Sequence, residues 1–195
     1  MRDLVVIGGT LTGLKRLCRL IDQLPSSFQA PILAELHALP ERPESPVELL
    51  AACTSLPVGY GTAGTRPRAG RVYLAPADRH LVVMPSGALD LCGDHRPDAA
   101  ADHLFASAAR ACGPRVIGAV LAGGGLDGLE GLGAINAAGG IGILEATQEA
   151  FHPEPVGGSH ARHTTQAHYC LPLDDIAELL RKLIDGDDAM GEPLG

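Results

Sequence analysis

The first apolar run of the chain, Val5-Val6-Ile7, is rich in β-formers and ends in the glycine-bounded stretch Gly8-Gly9-Thr10-Leu11-Thr12-Gly13. Leu14, Leu17, Cys18 and Ile21 then recur at helical spacing, and Pro25 lies just past the end. The pattern predicts a strand, a tight turn and a helix. Free N–H groups at the start of such a helix favour negative charge, so the turn is suited to holding a nucleophile or an anion, or simply to joining two elements. Pro31 to His37 reads as a second strand, and the βαβ unit so formed should be parallel, with its polar groups collected at the carboxyl ends of the strands.

Val47 to Leu56 reads as a short helix. Arg71 to Leu74, His80 to Met84 and Ala88 to Leu91 read as short strands, with the turn signal Pro85-Ser86-Gly87 between the last two. This suggests an antiparallel hairpin and hence a mixed sheet. A helix is predicted over 102–111, and Arg115 to Leu121 has the pattern of a buried strand. The glycine-rich turn 122–128, with Asp127 in it, repeats the architecture of the opening stretch and leads into a helix over 129–138. A strand at 141–144, a polar segment at 147–168, a helix at 176–184 and a tail complete the chain, with no internal repeat. The expected class is a doubly wound α/β domain whose sheet is mostly parallel.

Composition narrows what such a domain does. Of 195 residues, 46% are apolar and 19% charged, the aromatic content is only 3%, and the formal net charge is −8. A chain this acidic, with no basic run interleaved with aromatics, is a poor nucleic-acid binder. No stretch is long and apolar enough to suggest a membrane span. Five scattered cysteines (Cys18, Cys53, Cys92, Cys112, Cys170) form no Cys-x-x-Cys pair. They point away from zinc ribbons and disulfide scaffolds and towards a reduced cytoplasmic compartment.

Thr10, His37 and Asp127 stand at or just past three strand ends, so a hydroxyl, an imidazole and a carboxylate are expected on one sheet edge. These are the parts of a nucleophilic hydrolase: the imidazole takes the hydroxyl proton, the carboxylate orients the imidazole, and backbone N–H groups of the glycine turns bind the oxyanion. Each residue also has a plainer use. Thr10 or Thr12 suits the cap of the following helix, His37 suits a strand end, and Asp127 suits a helix N-cap. His152, His160, His163 and His168 could suggest a metal, but His160 and His163 lack supporting carboxylates at ligand spacing, so the segment reads as a solvated loop and no metal is implied. Gly8, Gly9 and Gly13 with Glu35 loosely imitate a dinucleotide-binding unit, but Thr10 occupies the place of the second glycine.

From Val5 to Ile184 the chain resembles the catalytic domain of the CheB-type chemotaxis methylesterases. The segments that carry the resemblance are Val6-Ile7-Gly8-Gly9-Thr10, the His37 strand end, Gly70 to Pro76 with Asp78-Arg79-His80-Leu81, and His95-Arg96-Pro97. They continue with Leu104 to Ala109, Ile117 to Leu121 with Gly123 and Asp127-Gly128, and Leu171 to Ile176. The resemblance implies a doubly wound sheet with an antiparallel hairpin and no cofactor. It implies hydrolysis of glutamate methyl esters, often with glutamine deamidation, on a chemoreceptor-type partner in the cytoplasm. The catalytic residues it implies are Thr10, His37 and Asp127, with the turn backbone at Leu11 and Gly124 beside the oxyanion. Thr10 replaces the family's nucleophilic serine, Leu11 its following threonine, and Gly124 a methionine. The resemblance further implies one domain over 1–185, a flexible tail over 186–195, and no receiver domain. Two functions follow as expectations: a stand-alone methylesterase, or a degenerate binding module that keeps the fold without the chemistry.

Overall fold

The computed structural model describes residues 1–9, 13–36, 45–93, 99–122, 127–146 and 167–186. Its strands are β1 (Leu4–Gly9), β2 (Ile32–Leu36), β3 (Val58–Tyr60), β4 (Val72–Leu74), β5 (His80–Val83), β6 (Leu89–Cys92), β7 (Val116–Val120), β8 (Ile141–Glu145) and β9 (Tyr169–Leu171). The helices are α1 (Gly13–Asp22), α2 (Pro46–Ala51), α3 (Ala100–Cys112), α4 (Leu129–Ala137) and α5 (Leu173–Asp185).

Among the described residues, seven strands form one sheet in the order β3-β4-β2-β1-β7-β8-β9. Every pairing in it is parallel. The hairpin β5-β6 is antiparallel, as its turn signal predicts, but it forms a separate sheet. The expected mixing therefore does not occur. The hairpin packs over one face, with Leu81, Val83 and Leu89 buried among residues of the sheet and α3. Chain direction reverses its lateral progress at the centre: β1 leads through α1 to β2 on one side, and β7 leads through α4 to β8 on the other. The crevice between the carboxyl ends of β1 and β7 is thus the switch point at which doubly wound sheets hold their ligands.

Both faces of the sheet are covered, which explains the uninterrupted apolar runs. All six residues of β1 and all five of β2 and β7 are buried. Val5, Ile7, Ile32, Ala34, Ile117, Ala119 and Ile143 face α1, α2 and α5. Their neighbours in alternation, Val6, Leu33, Val116 and Val120, face α3, α4 and the hairpin. α5 begins earlier than its periodicity suggests, because Pro172 takes the N-cap position and Leu173 joins the core. β3 and β9 were not anticipated. Each has three residues and lies at an edge of the sheet, too short for an alternation to register.

Two features of the packing bear on the sheet edge. Cys18 of α1 and Cys53, just after α2, are joined in a disulfide with their Cα atoms 5.6 Å apart, so two of the five scattered cysteines meet. On the other face, α3 and α4 approach closely around Phe105, which is fully buried. A Cβ added to Gly131 would lie 2.5 Å from the Phe105 Cβ and 3.1 Å from the Asp102 Cα, so neither neighbour has a flexible end to move aside. Gly131→Ala is expected to destabilise the fold by about 1–3 kcal/mol. Urea unfolding monitored by circular dichroism should show the lower midpoint, and an unchanged midpoint would refute the close-packing argument.

Candidate active site at the carboxyl edge of the sheet

Three adjacent strands, in the order β2-β1-β7, end at the switch point. β1 ends at Gly9 and Thr10 follows it; β2 ends at Leu36 and His37 follows it; β7 ends at Val120 and leads through Ala122 to the turn that contains Gly124. Thr10, Leu11, His37 and Gly124 themselves lie outside the described residues, as do His152, His160 and His163. What the structure describes is the frame that carries them, together with Asp127.

Asp127 is buried, with 8% of its surface exposed. Its Oδ2 accepts the Ala101 N–H at 3.0 Å and its Oδ1 accepts the Asp102 N–H at 3.1 Å. It therefore caps the start of α3, not of the helix that follows it in sequence. The N-cap position of α4 is held by Gly128, at φ 97°, a left-handed conformation that glycine adopts without strain. Asp102, in the first turn of α3, returns the contact: its Oδ1 accepts the Gly131 N–H of α4 at 2.6 Å. The two helix N-termini thus exchange carboxylates, each satisfying N–H groups that the other helix leaves without intrahelical partners. Burial raises the Asp102 pKa above the ordinary carboxylate value, and the neighbouring Asp127 charge pushes the same way.

Two further acids stand at the same edge, one on each face of the sheet. Glu35, one residue from the end of β2, is 4% exposed. Its Oε2 accepts the Leu81 N–H at 3.0 Å, and its Oε1 lies 3.2 Å from His80 Nδ1. It anchors the hairpin to the sheet beside the residue that precedes the His37 position. Burial raises its pKa; the Leu81 N–H and His80 oppose that shift, and Asp127 adds to it more weakly. On the other face, Glu145 ends β8 with its side chain 2% exposed. One oxygen pairs with the Arg16 guanidinium of α1, and the other accepts the Ala122 N–H at 2.8 Å. A single carboxylate therefore ties the helix that follows the Thr10 turn to the residue that opens the Gly124 turn.

The sequence pattern missed both of these roles. Glu35 drew notice only as part of the loose dinucleotide-binding pattern, whereas both of its oxygens are engaged by the hairpin. Glu145 drew none, although an acid closing the apolar run Ile141-Gly142-Ile143-Leu144 is a visible signal. His168, grouped with the solvated histidines, instead docks on β8. Its N–H donates to the Gly142 carbonyl at 2.8 Å, and its Nδ1 accepts the Gly142 N–H at 3.2 Å. Among the described residues no group of three or more His, Cys, Asp or Glu is placed to hold a metal.

The sheet order, with its switch point between β1 and β7, defines a doubly wound α/β domain. The comparisons are narrower. The family model for CheB methylesterase matches residues 5–180, and the chain belongs to that family. It is 35% identical over 188 residues to protein-glutamate methylesterase/protein-glutamine glutaminase 5 of Myxococcus xanthus, covering 93% of this chain and 53% of that protein. It is 34% identical over 187 residues to protein-glutamate methylesterase FrzG of Myxococcus xanthus, covering 93% and 55%. The crystal structure of the Thermotoga maritima CheB methylesterase catalytic domain superposes with a TM-score of 0.79 at 30% identity, covering 94% of this chain and 99% of that one. The chain thus spans about half the length of these two curated relatives and nearly all of the solved catalytic domain.

Two outcomes follow from the geometry. Asp127→Ala strips two N–H groups of α3 of their acceptors and should lower stability by about 1–2 kcal/mol, read from urea midpoints; no loss would mean that the cap is idle. For Glu35, the native pKa lies above the unfolded value of about 4.3. Its contribution to stability is then fully present below that pH and is lost as the pH rises through the native value. The melting temperature of Glu35→Gln should accordingly gain on wild type as the pH is raised from about 4 to 8. A difference that stays constant across that range would show that the burial shift is absent.

Proposed function

We propose that this chain is a protein-glutamate methylesterase, converting a glutamate methyl ester and water to the carboxylate and methanol. Thr10 attacks the ester carbonyl while His37 takes its proton, and His37 then returns that proton to the departing methanol. Water, deprotonated by the same imidazole, releases the acyl group from Thr10. Asp127 orients His37, and the backbone N–H groups at Leu11 and Gly124 hold the oxyanion. The observation that carries this reading is the placement of Asp127, fixed by α3 at the end of the strand beside β1 and one strand removed from β2. The names of the relatives support a methylated protein glutamate as the substrate, and one of them adds protein glutamine; the chemoreceptor-type partner rests on the family resemblance. A cytoplasmic location goes with that partner.

One observation favours a second reading, a CheB-like binding module without turnover. Both oxygens of Asp127 already serve α3, so the fold itself gives a reason for this acid to be present. A threonine at the nucleophile position points the same way, since its extra methyl restricts χ1. Methanol release from methylated receptor, measured for wild type, Thr10→Ser and Thr10→Ala, separates the two. The esterase reading expects wild type to exceed Thr10→Ala by about 100-fold or more. Equal rates for these two, with Thr10→Ser alone gaining activity, would establish the binding module instead.

A further inference from the structure

We propose that Cys18 and Cys53 form a reversible thiol–disulfide exchange site that staples together the two chain segments carrying the candidate nucleophile and base. The juxtaposition is specific. Cys18 lies on α1, the helix entered from the Thr10 turn, and Cys53 lies just after α2, the helix that follows the His37 segment. The bond closes a loop with a sequence separation of 35, which contains the second half of α1, all of β2 with Glu35, and His37. The contact is also supported without the bond, because the Thr54 hydroxyl donates to the Ile21 carbonyl at 3.1 Å across the same junction. Reduction therefore leaves the two helices adjacent and the thiols in position to reoxidise.

Both oxidation states are accommodated. Cys18 and Cys53 are each part-exposed, and Cys18 packs its inner side on the core. The Cys53 sulfur lies 3.1 Å from the Leu49 carbonyl, which accepts its S–H in the reduced form. The remaining thiols, Cys92, Cys112 and Cys170, form no disulfide. Burial raises the pKa of each of Cys92, Cys112 and Cys170, leaving less of the reactive thiolate. The co-reactant is a low-molecular-weight disulfide such as oxidised glutathione. The Cys53 thiolate attacks one of its sulfurs and releases one thiolate. The Cys18 thiolate then attacks Cys53 in the mixed disulfide and releases the second. Two electrons pass from the protein thiols to the reagent, the two thiol protons go to solvent or to the released thiolates, and a dithiol reductant reverses the exchange. In a compartment that keeps thiols reduced, a bond of this kind has a switching role rather than a permanent one.

The pairing does not rest on the esterase reading; only its effect on turnover does. The test treats the full chain with oxidised glutathione or with dithiothreitol, maps the disulfide by peptide mass, and follows amide hydrogen exchange. The expected product is one peptide pair linked through Cys18 and Cys53 and cleaved by dithiothreitol. In the reduced form, and in Cys18→Ser and Cys53→Ser, exchange in α1 and α2 should be faster by about tenfold while β7 and β8 are unaffected. Melting temperature should fall by about 5–10 °C on reduction. Absence of the linked pair, linkage instead to Cys92, Cys112 or Cys170, or identical exchange in α1 and α2 in both states would each overturn the proposal. Methanol release that is absent in both redox states, with the staple formed as described, would count against the esterase reading and leave the exchange site standing.

Discussion

The exchange of carboxylates between α3 and α4 is the constraint on which the sheet edge depends. Two helices that start side by side present a double set of unpaired N–H groups and two dipole ends of the same sign. Asp127 and Asp102 answer both problems at once, Asp127 from just before α4 and Asp102 from the first turn of α3. The solution requires a close approach, which Gly131 permits, and a left-handed residue immediately before α4, which Gly128 supplies. Because Asp127 reaches across to α3, the end of the turn after β7 is set by the packing of two helices and not by its own local conformation.

The other acids at this edge extend the same principle. In a parallel sheet covered on both faces, a strand-end side chain has little water within reach, so a carboxylate there must be met by donors from the protein. Glu35 finds them in the hairpin, and Glu145 finds them in Arg16 and Ala122. Each spends its oxygens on elements distant in sequence, which converts a burial penalty into a tie between layers. Glu145 bridges the elements flanking both glycine turns, and Glu35 holds the hairpin beside the end of β2. The three acids thus border the β1–β7 switch point with carboxyl groups whose oxygens are held by amides and side chains of the protein.

Legibility in the sequence followed the range of the interactions involved. Apolar runs and glycine turns are local signals, and β1, β2, β7 and their helices could be read from them directly. The hairpin was readable as a hairpin, but its separation from the main sheet depends on Leu81 and Val83 packing against α3, which no local pattern encodes. The edge strands β3 and β9 are too short to show a period. Asp127 has the capping role its type suggests, yet the amides it caps belong to a helix that lies earlier in the chain, Ala101 being 26 residues before it. Cys18 and Cys53 looked unrelated because their contact is made by two helices packing on one face, again a tertiary fact. The site residues themselves were legible mainly through family resemblance, since a hydroxyl, an imidazole and an acid at three strand ends also have ordinary structural uses.

This division bears on how Thr10 is to be weighed. Asp127 has a structural duty at α3 besides its place at the sheet edge, so the group that discriminates between the two readings is the hydroxyl. Serine at such a turn can place its Oγ in any of three staggered wells, whereas the branched Cβ of threonine fills two wells together and couples the hydroxyl to the methyl. A threonine whose Oγ occupies the attacking well must put its methyl into one fixed neighbouring well. If that well faces solvent or the β1–β7 crevice, attack proceeds with a small steric penalty. If it faces the oxyanion-binding amides, the methyl excludes the very charge those amides would stabilise, and the loss falls on kcat. Glycine at position 124, in place of the methionine expected from the family resemblance, removes a side chain from that turn. Of the two departures, one adds a methyl at the candidate nucleophile position and the other gives up side-chain volume at position 124.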